Sequence, residues 1–320
     1  MLSFLPAGAD ENLLVGLESP DDAAVYALDE GRVLVATVDF FTPLVDDAED
    51  FGAIAAANAL SDLYAMGATP AFALSVLAVP SQVLPAETIA GILRGAADVC
   101  AEAGIVIAGG HSIDDEEPKF GLVALGFASR EGLYRRSGAR AGDALVLGKA
   151  LGTGVISTAI KNGAAPIPAA RAAVLSMRQL NRDAVGMLTG HDVHAVTDVT
   201  GFGLLGHLRE LCQASGVSAR VWASSPRLLP DVLELAEAGH VPDGTRRNRQ
   251  SLARFVDWEP TIPDSLRTVL CDAQTSGGLL AAVAPHEAAE LVAEWESAGY
   301  AAAAIGKVED TGSALIVVEA

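Results

Sequence analysis

The chain has 320 residues, 51% of them hydrophobic, enough to build two domains with separate cores. Lys plus Arg number 21 against 41 Asp plus Glu, a net charge of −20, so nucleic acid and anionic membrane are not expected as partners. No apolar run reaches the roughly 18 residues of a membrane span.

The N-terminal stretch "MLSFLPAGADENLL" has no basic n-region and no cleavage pattern, so no signal peptide is read there. "RVLVATVDF" alternates and is β-branched, a strand. "DFGAIAAANALSDLYAMG" has helical spacing and stops at Gly67 and Pro70. "AFALSVLAV" is a strand, and "PAETIAGILRGAADVCAEAG" is a helix opened by proline and closed by glycine. "IVIAGG" and "FGLVALGFAS" are strands. The stretch "SREGLYRRSGARAGD" gathers Arg130, Arg135, Arg136 and Arg140 and reads as a solvated linker, which sets the domain boundary: 1–135 and 136–320. Beyond it, "DALVLGKA" is a strand, "GVISTAIKNG" and "AARAAVLSMRQLNRDAVGML" are helices, and "VHAVTDV" is a strand. "GLLGHLRELCQASG" is a helix, "VSARVWA" a strand, "HEAAELVAEWESAG" a helix and "SALIVVEA" a closing strand. The order indicates a two-domain α/β or α+β chain. Cys100, Cys212 and Cys271 are far apart and read as small core residues of a reduced, cytoplasmic protein.

Two glycine motifs are decoys. "GFGLLG" (Gly201, Gly203, Gly206) fits the dinucleotide fingerprint G-x-G-x-x-G, but the acidic residue expected about 20 positions on is missing. Asp198, three residues before the first glycine, would set a negative charge against a pyrophosphate. "GDALVLGKA" spaces Gly142, Gly148 and Lys149 one residue too widely for a phosphate loop, and Ala150 stands where Ser or Thr would hold magnesium.

The aspartates carry more. Asp21 and Asp22 precede a short apolar segment, Asp39 ends a strand, and Asp62 shares a helix face with Asn58 at i and i+4. Asp198 ends a strand beside a glycine-rich turn. Asp62 and Asp198 have apolar sequence neighbours, and a carboxylate in such a setting needs donors or a cation. Two carboxylates about 5 Å apart repel by roughly 3 kcal/mol at an effective dielectric of about 20. Oxygen ligands without Cys or His suit Mg²⁺ or Mn²⁺, so a hard dication would resolve a convergence. His191 and His194 read as residues of an exposed loop. "IVIAGGHSID" reads as a strand ending in two glycines, with His111 and Ser112 at a turn that offers N–H groups and a hydroxyl to a phosphate. Gly201 and Gly203 are expected to let the backbone turn tightly after Asp198.

Taken together, "DDAAVY", "TVDFFTPLVDDAEDFGAIAAANALSDLYAMGA", "AGGHSID", "AVTDVTGFGLLGHL", "PDGTRRN" and "LCDAQTSGGLL" resemble the selenophosphate synthetase family, also called selenide, water dikinase. The resemblance runs from about residue 12 to the C-terminus. It implies an architecture like that of aminoimidazole ribonucleotide synthetase: a β-rich N-terminal domain that dimerises through its sheet and a C-terminal α/β domain. It implies a reaction of ATP, water and selenide that yields selenophosphate, AMP and orthophosphate. By position, Asp22, Asp62 and Asp198 match the family's magnesium ligands. Ser19, Pro20, Asp21, Asp39, Asp62, Gly110, His111 and Ser112 match its nucleotide site. The family's selenium-handling cysteine or selenocysteine, and a lysine beside it, belong to a segment preceding "LLVG". They are expected upstream of Met1, which leaves these 320 residues a nucleotide-binding body inactive by itself. A superfamily kinase with another acceptor and a non-catalytic nucleotide-binding relative are the alternatives.

Overall fold

The computed structural model describes residues 10–17, 21–312 and 314–320. Ser19 and Pro20 lie outside the described residues. The chain divides into two compact units, Met1–Arg135 and Arg136–Ala320.

In the first unit the elements run β1 (Leu13–Val15), β2 (Ala24–Ala27), β3 (Arg32–Phe41), α1 (Ala48–Ala65), β4 (Thr69–Val79), α2 (Ala86–Glu102), β5 (Ile107–Asp114) and β6 (Lys119–Ser129). The strands form one sheet in the order β1-β2-β3-β6-β4-β5, antiparallel except for the parallel β4–β5 pair. Alternation along β3 sends Val33 and Val35 to the helix-covered face, where neither has exposed surface, and Val38 and Phe40 to the opposite face, where each is about half exposed. Helix α1 begins where the Asp47 carboxylate accepts from Asp50 N–H at 2.9 Å, a cap that stabilises it by about 1 kcal/mol. It ends at Gly67, whose φ of 71° only glycine adopts cheaply. Helices α1 and α2 cross on two glycines. A Cβ on Gly52 would sit 1.8 Å from the Ile92 carbonyl oxygen, and one on Gly95 would sit 1.9 Å from that of Glu49.

The second unit runs β7 (Ala144–Leu147), α3 (Thr153–Lys161), α4 (Ile167–Arg178), α5 (Arg182–Leu188), β8 (Val193–Asp198), α6 (Gly203–Ser215), β9 (Ser218–Trp222), α7 (Val232–Glu237), α8 (Asp243–Leu252), β10 (Val256–Trp258), α9 (Asp264–Leu270), β11 (Leu279–Val283), α10 (Ala288–Ser297), β12 (Ala303–Glu309) and β13 (Ile316–Glu319). Its sheet has the order β10-β13-β9-β12-β7-β11-β8 and mixes parallel and antiparallel pairs. Strand β11, between β7 and β8, is buried along its whole length. The single helix expected over 169–188 is two, because Gln179 is extended (ψ 122°). Its carbonyl accepts from the buried Lys149 ammonium at 2.6 Å, a tertiary bond that overrides helical propensity.

The linker reading also needs correction. Arg135 donates to Asp21 at 3.2 Å, Arg136 to Glu210 at 2.9 Å, and an Arg140 guanidinium nitrogen lies 2.8 Å from a His194 ring nitrogen. These arginines are each tied into the unit they belong to, and Arg136 is mostly buried.

Candidate functional site

In the first unit, β3 and α1 meet along a polar seam. Thr37 and Asp39 are two residues apart on a strand and Asn58 and Asp62 four apart on a helix, so each pair shares a face. The repeats, about 6.7 Å along a strand and about 6 Å along a helix, nearly match. The pairs therefore meet side by side, with the helix running against the strand. Asn58 Nδ2 donates to Asp39 Oδ2 at 2.6 Å, and Thr37 Oγ1 donates to Asp62 Oδ2 at 2.5 Å. Asn58 is 5% exposed, while both carboxylates remain half-buried. Thr37 is a member of this seam that sequence reasoning missed; its signal was the i−2 spacing from Asp39.

Strand register extends the seam across the sheet. Asp39 lies opposite Leu122, Leu122 opposite Ser75, and Ser75 opposite Gly110. Gly110 has φ 152°, and a Cβ there would lie 2.2 Å from the Ser75 carbonyl oxygen, so the position requires glycine. Ser112 falls in the next row, with Leu77, Phe120 and Phe41. His111 pairs with Val76 and by alternation belongs to the opposite face, that of Phe40. The turn expected at His111 and Ser112 is absent: β5 continues through both to Asp114, because parallel pairing with β4 holds the chain extended. Asp21 Oδ1 accepts from Asp22 N–H at 3.0 Å and Oδ2 from Arg135. Asp22 lies two residues before β2, whose Ala24 pairs with Ala36, so that register leads the segment towards the Thr37–Asp39 end of β3.

In the second unit Asp198 ends β8 opposite Leu279 and is 1% exposed. It has a cationic neighbour, contrary to the apolar setting its sequence indicates. Lys149, 2% exposed, donates to the carbonyls of Gln179 (2.6 Å) and Ser276 (2.8 Å). Burial pushes its ammonium down to about 7, against the pull of the Asp198 charge. After Asp198 the chain turns through Thr200–Gly203. Gly203 has φ 71° and abuts the Cys271 carbonyl, so glycine is required; a Cβ on Gly201 would meet open space, and the expectation for that residue fails. Asp272 is fully buried and accepts from Gly154 N–H, Val155 N–H, Thr245 Oγ1 and Gln274 Nε2 at 2.7–3.1 Å. Burial pushes its carboxyl up to about 6 even so. Gln274 Oε1 accepts from Gly152 N–H, Thr153 N–H and the Thr153 hydroxyl, so "CDAQTSGGLL" caps the start of α3. Lys149, Asp272 and Gln274 were visible only as members of motif strings.

His191 and His194 are not loop-exposed. His191 lies between Glu287 (2.6 Å) and Glu294 (3.0 Å), and His194 bonds Asp143 at 2.8 Å. All three cysteines are buried, and burial pushes the Cys100 thiol up to about 11 and those of Cys212 and Cys271 up to about 12. None is poised as a nucleophile. Among the described residues no group of three His, Cys, Asp or Glu closes on a common metal position, and no helix is long and apolar enough to cross a membrane.

Comparison with known proteins covers nearly the whole chain. Residues 20–128 match the AIR synthase related protein N-terminal domain and residues 140–318 the corresponding C-terminal domain. A selenide, water dikinase from Pelobacter propionicus is 45% identical over 319 residues, 99% of this chain and 92% of the relative. Among solved structures, thiamine-monophosphate kinase from Stenotrophomonas maltophilia superposes with a TM-score of 0.70 at 23% identity, covering 97% of this chain and 92% of that one. A hydrogenase maturation protein HypE in complex with ATP gives 0.65 at 18% identity, covering 92% and 84%. These two likenesses establish the two-domain fold.

Proposed function

The chain belongs to the selenide, water dikinase family, built from two AIR-synthase-related domains, and from that membership we propose how its residues serve the reaction. The activity is ATP-dependent synthesis of selenophosphate from selenide and water, with release of AMP and orthophosphate. The observation that carries it is 45% identity to a selenide, water dikinase over 99% of the chain.

Asp22 and Asp62 in the first unit, and Asp198 in the second, are proposed to hold Mg²⁺. Asp39, Asp21, Gly110 and Ser112, together with Ser19 and Pro20, are proposed to line the nucleotide site; His111, expected there from its motif, falls on the opposite face of the sheet and is left out of it. The donor chemistry supports a hard cation. Asp62 and Asp39 offer oxygen to solvent beside neutral hydroxyl and carboxamide donors, and the nearby sequence supplies neither cysteine nor a histidine on that face. Magnesium is held by a few carboxylates plus substrate phosphates rather than by a closed protein cage. When bound, the ion supplies charge neutralisation for the phosphates. The chain's own residues do the rest: Thr37 and Asn58 orient the two carboxylates, and Gly110 lets its backbone close on Ser75 in the row of Asp39.

The exposed face of the first sheet, with Val38, Phe40 and Phe127 each about half exposed, is proposed as the surface through which two copies pair. Three unpaired, buried thiols support a reducing, cytoplasmic setting. The product of ATP turnover tests the reading. In an enzyme that carries the family's selenium-handling residue, AMP with orthophosphate, and selenophosphate by phosphorus NMR when selenide is supplied, are expected. ADP as the sole nucleotide product would instead place the chain among kinases with another acceptor.

A further inference from the structure

The turn that follows Asp198 is held by hydrogen bonds from several parts of the second unit. Val199 N–H donates to the Gly278 carbonyl at 2.9 Å. The Thr200 carbonyl accepts from Gln274 N–H and Gly203 N–H, both at 2.9 Å, and the Gly201 carbonyl accepts from Asn248 Nδ2 at 3.0 Å. Two further donors, Thr200 N–H and Phe202 N–H, point to one atom, Nε2 of His207, at 3.1 and 3.4 Å, and the Thr200 hydroxyl lies 3.3 Å from the same nitrogen. His207 sits on the first turns of α6, is 7% exposed, and packs its ring against that of Phe202 with centroids 5.6 Å apart.

From this geometry we infer that His207 is a positioning residue for the Asp198 metal site: a neutral imidazole whose Nε2 accepts two backbone N–H groups and so fixes the turn that aims the Asp198 carboxylate. The inference rests on the reading of Asp198 as a magnesium ligand. An imidazolium has no acceptor and would face both N–H groups with like charge, so the ring proton must reside on Nδ1. A ligand held at a strand end by one side-chain template is sensitive to that template, and outer-shell partners of this kind typically cost roughly 10- to 100-fold in metal affinity when removed.

Three variants of the full chain test it, each titrated calorimetrically with ATP over a range of Mg²⁺ concentrations. His207→Leu keeps the volume and removes the acceptor. It is expected to raise the Mg²⁺ concentration needed for half-maximal ATP binding by roughly 10-fold or more. His207→Gln places a carbonyl oxygen near the position of Nε2 and is expected to restore the wild-type requirement to within about threefold, a rescue that lost packing alone would not produce. Asp198→Asn is the control. If it shifts the Mg²⁺ requirement and His207→Leu does not, the positioning role is overturned and the metal reading stands. If Asp198→Asn itself shifts nothing, the metal reading is overturned, and the positioning role with it. Should His207→Leu fail to fold, long-range ¹H–¹⁵N correlation on the wild-type ring decides: a proton on Nδ1 at neutral pH supports the assignment, and a proton on Nε2 overturns it.

Discussion

Asp62 and Asp272 are both carboxylates set against helices in apolar surroundings, one in each unit, and they are held in opposite ways. Asp272 is sealed from water and accepts from two backbone N–H groups of α3, the Thr245 hydroxyl and the Gln274 carboxamide. Asp62 accepts from the Thr37 hydroxyl and stays half-buried. A carboxylate saturated with donors and closed to solvent is a structural anchor. One beside neutral donors and open to solvent can receive a cation that arrives with its substrate. The two residues look alike in sequence; burial separates them.

The sharpest way to break the comparison is to remove both. Asp272→Ala leaves several buried donors without an acceptor, each worth about 1–3 kcal/mol, so the second unit is expected to lose about 3 kcal/mol or more. Trp222, Trp258 and Trp295 all lie in that unit, so urea unfolding followed by tryptophan fluorescence reads it directly. An unshifted midpoint would show that Asp272 is no anchor. Asp62→Asn, by contrast, keeps an acceptor for Thr37. It is expected to leave the melting temperature unchanged and to weaken magnesium-dependent ATP binding more than tenfold, about 1.4 kcal/mol or more. Equal affinity in calorimetry would reduce the seam to packing.

Two smaller effects sharpen the contrast between the units. Phe40→Asp, on the exposed sheet face of the first unit, is expected to turn a dimer into a monomer in sedimentation velocity while ATP binding persists. A dimer that survives it would move the pairing surface elsewhere. In the second unit, burial opposes charging of His191, but the hydrogen bonds to Glu294 and Glu287 outweigh it, and its pKa is raised. A raised folded-state value contributes stability that is fully present below the unfolded pKa of about 6.5 and is lost as pH rises through the folded one. The melting temperature of the wild type is therefore expected to fall across that window, and His191→Gln is expected to flatten the slope. A parallel slope in the variant would remove His191 from the account.

Local pattern made much of the fold legible. The alternation of "RVLVATVDF" and the spacing of "DFGAIAAANALSDLYAMG" became β3 and α1 because burial on one face dictates both periods. Tertiary bonds were not legible. Gln179 breaks a helix to meet Lys149, and β5 runs through His111 and Ser112 because β4 pairs with it. The short elements α7, α8, α9 and β10 carry too few periodic positions to be read alone. At the site, Asn58 and Asp62 were readable as an i, i+4 pair, whereas Thr37, Lys149 and Asp272 act through partners distant in sequence.

The crossing of α1 and α2 on Gly52 and Gly95 has a mechanical consequence. Helix α1 is a lever pivoted where its backbone touches that of α2, with Asp62 on the long arm. Ten residues separate Gly52 from Asp62, about 15 Å along the axis. A methyl group at the pivot must push the Ile92 carbonyl away, and a tilt of about 5° would swing the carboxylate by about 1.3 Å, a displacement on the scale at which reacting groups lose on the order of 100-fold in rate. The aim of the seam is set three turns away from it, by two residues that have no side chain at all.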